Sequence, residues 1–149
     1  MTARAPAAGD LAADFLPHAA PFLLLDRVLA IDADSGRFSK CVSADDPLVG
    51  TSGVLSPVLI VEAMAQAAGL VLMRREPALR ERGAVLAAID HCESTLPARA
   101  GDVLVVEVRI TRRYGEMARI AGRATTDDRP CVVAHLTLAF APRARSGGA

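Results

Sequence analysis

From Ser56 to Met73 the chain reads SPVLIVEAMAQAAGLVLM, and no other stretch limits its possible folds as much. Ser56 can cap free backbone N–H groups, and Pro57 suits the first helical position because its missing N–H would be unpaired there anyway. The residues from Val58 to Leu72 then leave no polar stripe, and a helix that is apolar all round is normally buried on every side. Glu62 and Gln66 are the only polar side chains before Arg74, and four residues apart they share one face. An ionised carboxylate in such surroundings is costly unless paired or hydrogen-bonded. Two readings of Glu62 follow. It is a structural carboxylate satisfied by backbone donors, an arginine or a partner subunit, or it is a chemically active group. A membrane span is disfavoured, because the apolar run is barely long enough and Glu62 and Gln66 interrupt it near its middle.

The 149 residues suit one domain with a real core, and 52% hydrophobic residues beside 23% charged ones describe a globular chain. Seventeen basic residues balance seventeen acidic ones with no basic block, so neither nucleic acid nor a membrane surface is expected as a partner. Cys41, Cys92 and Cys131 are widely spaced, which predicts three buried reduced thiols in a cytoplasmic protein rather than a zinc or redox motif. No motif for a metal, nucleotide or flavin is present. MTARAPAAGD lacks the apolar core of a secretory signal. The expected organisation is a loose tail over residues 1–9, one domain over 10–142 and a second loose tail over 143–149.

In chain order, DLAADF predicts a short helix capped by Asp10 and ended by Pro17. Phe22 to Ile31 predicts a strand, with Arg37 to Ser43 as its hairpin partner. Asp45 to Leu55 is a loop, and REPALRERG is a charged exit from the helix. Gly83 to Leu96 fits a strand. Leu104, Val106, Val108 and Ile110 alternate with polar residues, as do Ala118, Ile120, Gly122 and Ala124, and then Val132, Ala134, Leu136, Leu138 and Phe140. Such alternation marks half-buried strands. Two strands, a buried helix and several antiparallel strands make an α+β pattern.

A sheet wrapped around one long apolar helix is the hot-dog fold, and the sequence resembles the 3-hydroxyacyl-acyl-carrier-protein dehydratases of fatty acid synthesis. The likeness is carried by LPHAAPFLLLDRVL from Leu16, VLIVEAMAQAAG from Val58 and AAIDHCESTLPARAGDVL from Ala87, in the family's order over most of the domain. It implies a dimer with active sites at the subunit interface, where a histidine of one subunit and the helix carboxylate of the other carry protons. Glu62 stands at the carboxylate's place, followed by Gln66. Aligned back from Glu62, the family's GHFPGxPxxPG loop puts Leu48 at the histidine's place, and Pro57 replaces a glycine whose N–H binds the thioester carbonyl. The next donors, on Val58 and Leu59, are then the expected carbonyl site, and the acyl chain is expected to pass Val58, Ile60 and Met64.

Glu62 is thus the expected catalytic residue, with Gln66, Val58, Leu59 and Met64 as substrate-binding residues. His18 reads as structural, and His91 and His135 as exposed strand residues. Asp45, Asp46, Thr51 and Ser52 read as turn chemistry. Arg99, Arg112 and Arg113 are candidates for a basic rim facing an acidic carrier protein. The resemblance implies a substrate borne on the phosphopantetheine of acyl carrier protein, no other cofactor, and a homodimer, an oligomer of dimers or a heterodimer with a homologue. Two further functions stay open: a hot-dog thioesterase using Glu62, and a non-catalytic subunit partnering an active dehydratase.

Overall fold

The computed structural model describes residues 4–141. Eight strands surround one helix: β1 (Arg27–Ile31), β2 (Ser35–Cys41), β3 (Val54–Leu55), β4 (Ala84–Ser94), β5 (Ala98–Arg99), β6 (Val103–Tyr114), β7 (Met117–Thr126) and β8 (Arg129–Phe140), with α1 (Pro57–Arg75) between β3 and β4. Six of the strands form an antiparallel sheet in the order β1-β2-β6-β7-β8-β4, and β3 pairs with β5 beside it. Pairing slips at several points, among them Leu86/Ala88 and Ile89/His91 between β4 and β8, and Ile110/Arg112 between β6 and β7. Such bulges bend strands and increase twist, which lets the sheet curve around the helix as the hot-dog arrangement requires.

From Ile60 to Met73 every residue of α1 except Glu62 is buried. The helix packs against β2, β4, β6, β7 and β8, over Leu104, Val106, Ile120, Leu136 and the other inward members of the alternating strands. α1 is long and apolar enough to cross a membrane by composition, but here the sheet supplies its apolar surroundings. Two contacts show how closely it sits. A β-carbon on Gly122 of β7 would stand 2.6 Å from Met64 Sδ, and one on Gly36 of β2 would stand 2.7 Å from the Phe38 ring and 3.0 Å from Val71.

The alternating strands and the helix stand where the sequence puts them, and four expectations are corrected. The strand expected from Phe22 begins only at Arg27. Leu24 and Leu25 are apolar because they are fully buried, and the Leu24 amide bonds to a side chain of α1 rather than to a ladder. The helix expected from Asp10 is a short 3-10 turn over Ala12–Asp14. The Asp10 carboxylate instead accepts from Arg4 at 2.9 Å and from the Ala7 amide at 2.8 Å, and the Arg4 bond is the main cause that holds its pKa below the usual value.

Residues 4–9 are no loose tail: Gly9 N donates to Val28 O at 2.8 Å, and Arg74 of α1 donates to Pro6 O at 2.9 Å. The expected tail over 143–149 lies outside the described residues. Of the cysteines only Cys131 is buried, whereas Cys41 and Cys92 are exposed, because β4, which carries Cys92, lies at the sheet's edge.

β4 exposes nearly its whole length, including Val85 at 62% and Ile89 at 46%. Paired with β8 on one side, this strand of eleven residues has no strand on its other side among the described residues.

Gly122→Val forces a branched side chain into Met64 and is expected to cost about 1–3 kcal/mol of stability. Gly83→Ala, where an added β-carbon meets nothing within 4 Å, is expected to stay near wild type. Denaturant midpoints of the two variants test this.

Candidate active site

Glu62 is the one break in the buried surface of α1 between Ile60 and Met73. Its side chain is 27% exposed, and its Oε1 accepts a bond from Gln66 Nε2 at 3.4 Å. His18 faces the same oxygen, with Nε2 at 3.6 Å and 32% of the side chain exposed. Both groups are therefore open to a ligand.

Gln66 brings them together. It is only 3% exposed, and a buried amide needs partners for both ends. Its Oε1 accepts from Leu24 N at 3.0 Å, and its Nε2 donates to Phe22 O at 2.8 Å as well as to Glu62. The segment leading into β1 is thereby fastened to the middle of α1. Leu16, 8% exposed, anchors the other side of His18. The imidazole lies over the Glu62 turn, and its Nδ1 is buried with no hydrogen-bond partner among the described residues.

A cavity of about 60 Å³ adjoins this group. Glu62, Ala65, Gly69 and Met73 form its helical wall, spaced so that they share one face of α1. The distance from Glu62 to Met73 along the axis is about 16 Å at the α-helical rise. Leu86 of β4 and Leu138 of β8 stand opposite, and Arg80 and Arg82 also line the cavity. The result is a polar end at His18, Glu62 and Gln66 with an apolar path leading from it. Arg80 donates to Asp14 O at 2.6 Å and lies 5.6 Å from the centre of the Phe15 ring, while Arg82 is held by Glu116 and by Ala141 O. A larger hollow of about 420 Å³ is lined by Arg37, Glu107, Arg109, Arg123 and His135. Those residues project from the sheet face opposite the helix, so the sheet separates them from Glu62.

Of the expected substrate-binding residues, only Gln66 lines the cavity. Met64 is fully buried against Gly122 of β7, and Ile60 is 1% exposed in the core; both face the sheet rather than the cavity. Val58 is 67% exposed, one turn before Glu62 and outside the cavity. Leu59 packs against the core. The donors expected to hold a carbonyl are already engaged: Val58 N donates to Ser56 Oγ at 3.4 Å and Leu59 N to Ser56 O at 3.0 Å.

Leu48 packs on the core, and its amide donates to Asp46 Oδ1 at 2.9 Å. Asp46 also meets Lys40 at 3.4 Å, and Asp45 accepts from Ser43. These acids stabilise their own loop. His91 and His135 lie on β4 and β8 with ring centres 5.8 Å apart, away from Glu62. Arg99 pairs with Val54 near the start of α1. Arg113 is 3.7 Å from Glu76, at the helix's far end, with Arg112 beside it in the chain, so these three arginines form no common rim.

The sequence reads His18 as structural, and the structure brings its Nε2 to 3.6 Å from Glu62 Oε1. The signal that could have found it is Gln66, whose buried amide requires a backbone partner from elsewhere.

The sequence profile of a family described as ApeP-like, ApeP dehydratase, matches residues 11–146. The chain is 33% identical over 135 residues to a Bacillus pumilus protein named 3-hydroxyacyl-[acyl-carrier-protein] dehydratase FabZ, covering 87% of this chain and 93% of that one. It is 36% identical over 116 residues to the protein of that name from Solibacter usitatus, covering 75% and 72%. Among solved structures, the dehydratase heterocomplex ApeI:P from Xenorhabdus doucetiae superposes with a TM-score of 0.78 at 20% identity, over 90% of this chain and 93% of that one. A hypothetical thioesterase from Streptococcus pneumoniae, solved with coenzyme A, superposes at 0.64 and 12% identity, over 77% and 84%. At these identities the structures establish a shared fold.

Gln66→Leu removes the partner of a buried backbone amide, and such a loss costs about 1–3 kcal/mol. The expected result is a lower denaturant midpoint together with faster hydrogen exchange at the Leu24 amide, measured residue by residue.

Proposed function

Because the chain belongs to the ApeP-like dehydratase family of hydro-lyases, we propose that it removes water from 3-hydroxyacyl thioesters carried on the phosphopantetheine arm of an acyl carrier protein. The setting is the synthesis of fatty acids or related acyl chains, in the cytoplasm. The observation that carries this reading is the placement of Glu62: the lone acid in the buried stretch of α1 stands at the polar end of an apolar cavity. Dehydration needs one group to take a proton from the α-carbon and one to protonate the departing β-hydroxyl. Glu62 serves as one of them. Its Oε1 is occupied by Gln66 and neighboured by His18, which leaves Oε2 to the substrate. The acyl chain follows Ala65, Gly69 and Met73.

The free edge of β4 supports assembly with a second hot-dog chain, either a copy or a homologue. An exposed apolar edge of that length is a template for further strand pairing. The structural relative from Xenorhabdus is itself named a heterocomplex. No prosthetic group beyond the carrier's arm enters this reading.

With a 3-hydroxyacyl-carrier-protein thioester, mass spectrometry is expected to show loss of water by the wild type. Glu62→Gln is expected to slow it about a hundredfold to ten-thousandfold, the range for losing an acid or base. Release of free thiol in place of water would make the protein a thioesterase. For the assembly, Ile89→Lys on β4 is expected to shift the sedimenting species toward the single chain. Cys92, also on β4, is expected to be alkylated faster in that variant than in the wild type.

A further inference from the structure

We infer that His18 is the second catalytic group of this site, acting from the same chain as Glu62. The inference rests on the dehydratase reading and names the group which that reading leaves open. The chain has three histidines, and only His18 lies beside Glu62; His91 stands on the edge strand β4 and His135 on its neighbour β8.

Three features distinguish His18 from a histidine that merely covers the carboxylate. Its Nε2 is 3.6 Å from Glu62 Oε1, longer than a good hydrogen bond, so the two groups are neighbours without being consumed by each other. Both line the same cavity and both remain about a third exposed or less on its open side. Nδ1 is buried without a partner among the described residues, so no second hydrogen bond ties the imidazole into the fold. Gln66 supplies the rigidity a catalytic pair needs, because it bonds to Glu62 and also to Phe22 and Leu24, just past His18 in the chain.

The spacing suits the reaction. The α-hydrogen and the β-hydroxyl sit on adjacent carbons, so the groups that address them must be adjacent too. His18 Nε2 takes the α-proton, and the electron pair of that C–H bond becomes the new C=C bond. The C–O bond breaks, and its oxygen leaves as water with the proton of the Glu62 carboxylic acid. Imidazolium and carboxylate then face each other across the 3.6 Å gap. Transfer of the proton from His18 back to Glu62 restores both groups, and the net change is hydroxyacyl thioester to enoyl thioester plus water.

The test uses the protein as purified from the cells that make it, with any partner subunit retained. His18→Gln and His18→Ala are assayed beside Glu62→Gln with the same 3-hydroxyacyl-carrier-protein substrate. Both His18 variants are expected to lose kcat about a hundredfold to ten-thousandfold with KM little changed, and added imidazole is expected to restore the His18→Ala rate in proportion to its concentration. If His18→Ala does not fold, His18→Gln decides, since its amide can hold position but cannot take a proton from carbon. Near-wild-type turnover in His18→Gln overturns the inference and gives the second group to a partner chain. Loss in His18→Ala that imidazole leaves unrelieved, while Gln at this position restores turnover, overturns it in favour of a positional role. Absence of water loss in the wild type would instead overturn the dehydratase reading itself, and its persistence in Glu62→Gln would overturn the assignment of Glu62.

Discussion

Enclosure of α1 from Ile60 to Met73 is the constraint on which the rest of the molecule depends. A helix without a polar stripe has no side it can leave in water, so the sheet must supply apolar partners from five of its strands. Close approach at Gly122 and Gly36 follows from that demand, because any side chain there would hold the sheet away from Met64 or Val71. The inward rows of β6, β7 and β8 are apolar for the same reason. Glu62 stands out because the enclosure around it is otherwise so thorough.

Gln66 converts this packing into a site. A buried amide beside a carboxylate recruits backbone partners 42 and 44 residues earlier in the chain. The recruited segment delivers His18 to Glu62. One side chain thus serves two purposes: it satisfies its own hydrogen-bonding capacity, and it fixes the position of two titratable groups that come from distant parts of the sequence.

The legible parts of the chain were those whose structure is set locally or by a repeating period. Ser56 and Pro57 marked the start of α1, and alternation marked β6, β7 and β8 because each has one face in the core. Leu23, Leu24 and Leu25 misled, since burial against a helix and burial in a sheet produce the same apolar run. His18 was not legible, because its position follows from a bond that Gln66 makes over a long span. The exposure of Cys92 was hidden too: AVLAAI fits a strand without showing its place in a sheet, and only the strand order shows that β4 has no neighbour on one side among the described residues. An apolar strand left on an edge is itself informative, because its composition fits a covered position.

The order of elements along the chain gives α1 a precarious interval during synthesis. It leaves the ribosome after β1 and β2 but before β4, β6, β7 and β8, which provide most of its enclosure. At about 5–20 residues per second, the 65 residues from Arg75 to Phe140 take about 3 to 13 s to appear. Throughout that interval the nascent chain displays a segment with the length and hydropathy of a membrane anchor. Until those strands are made, the helix that organises the finished domain is an apolar segment without most of its cover.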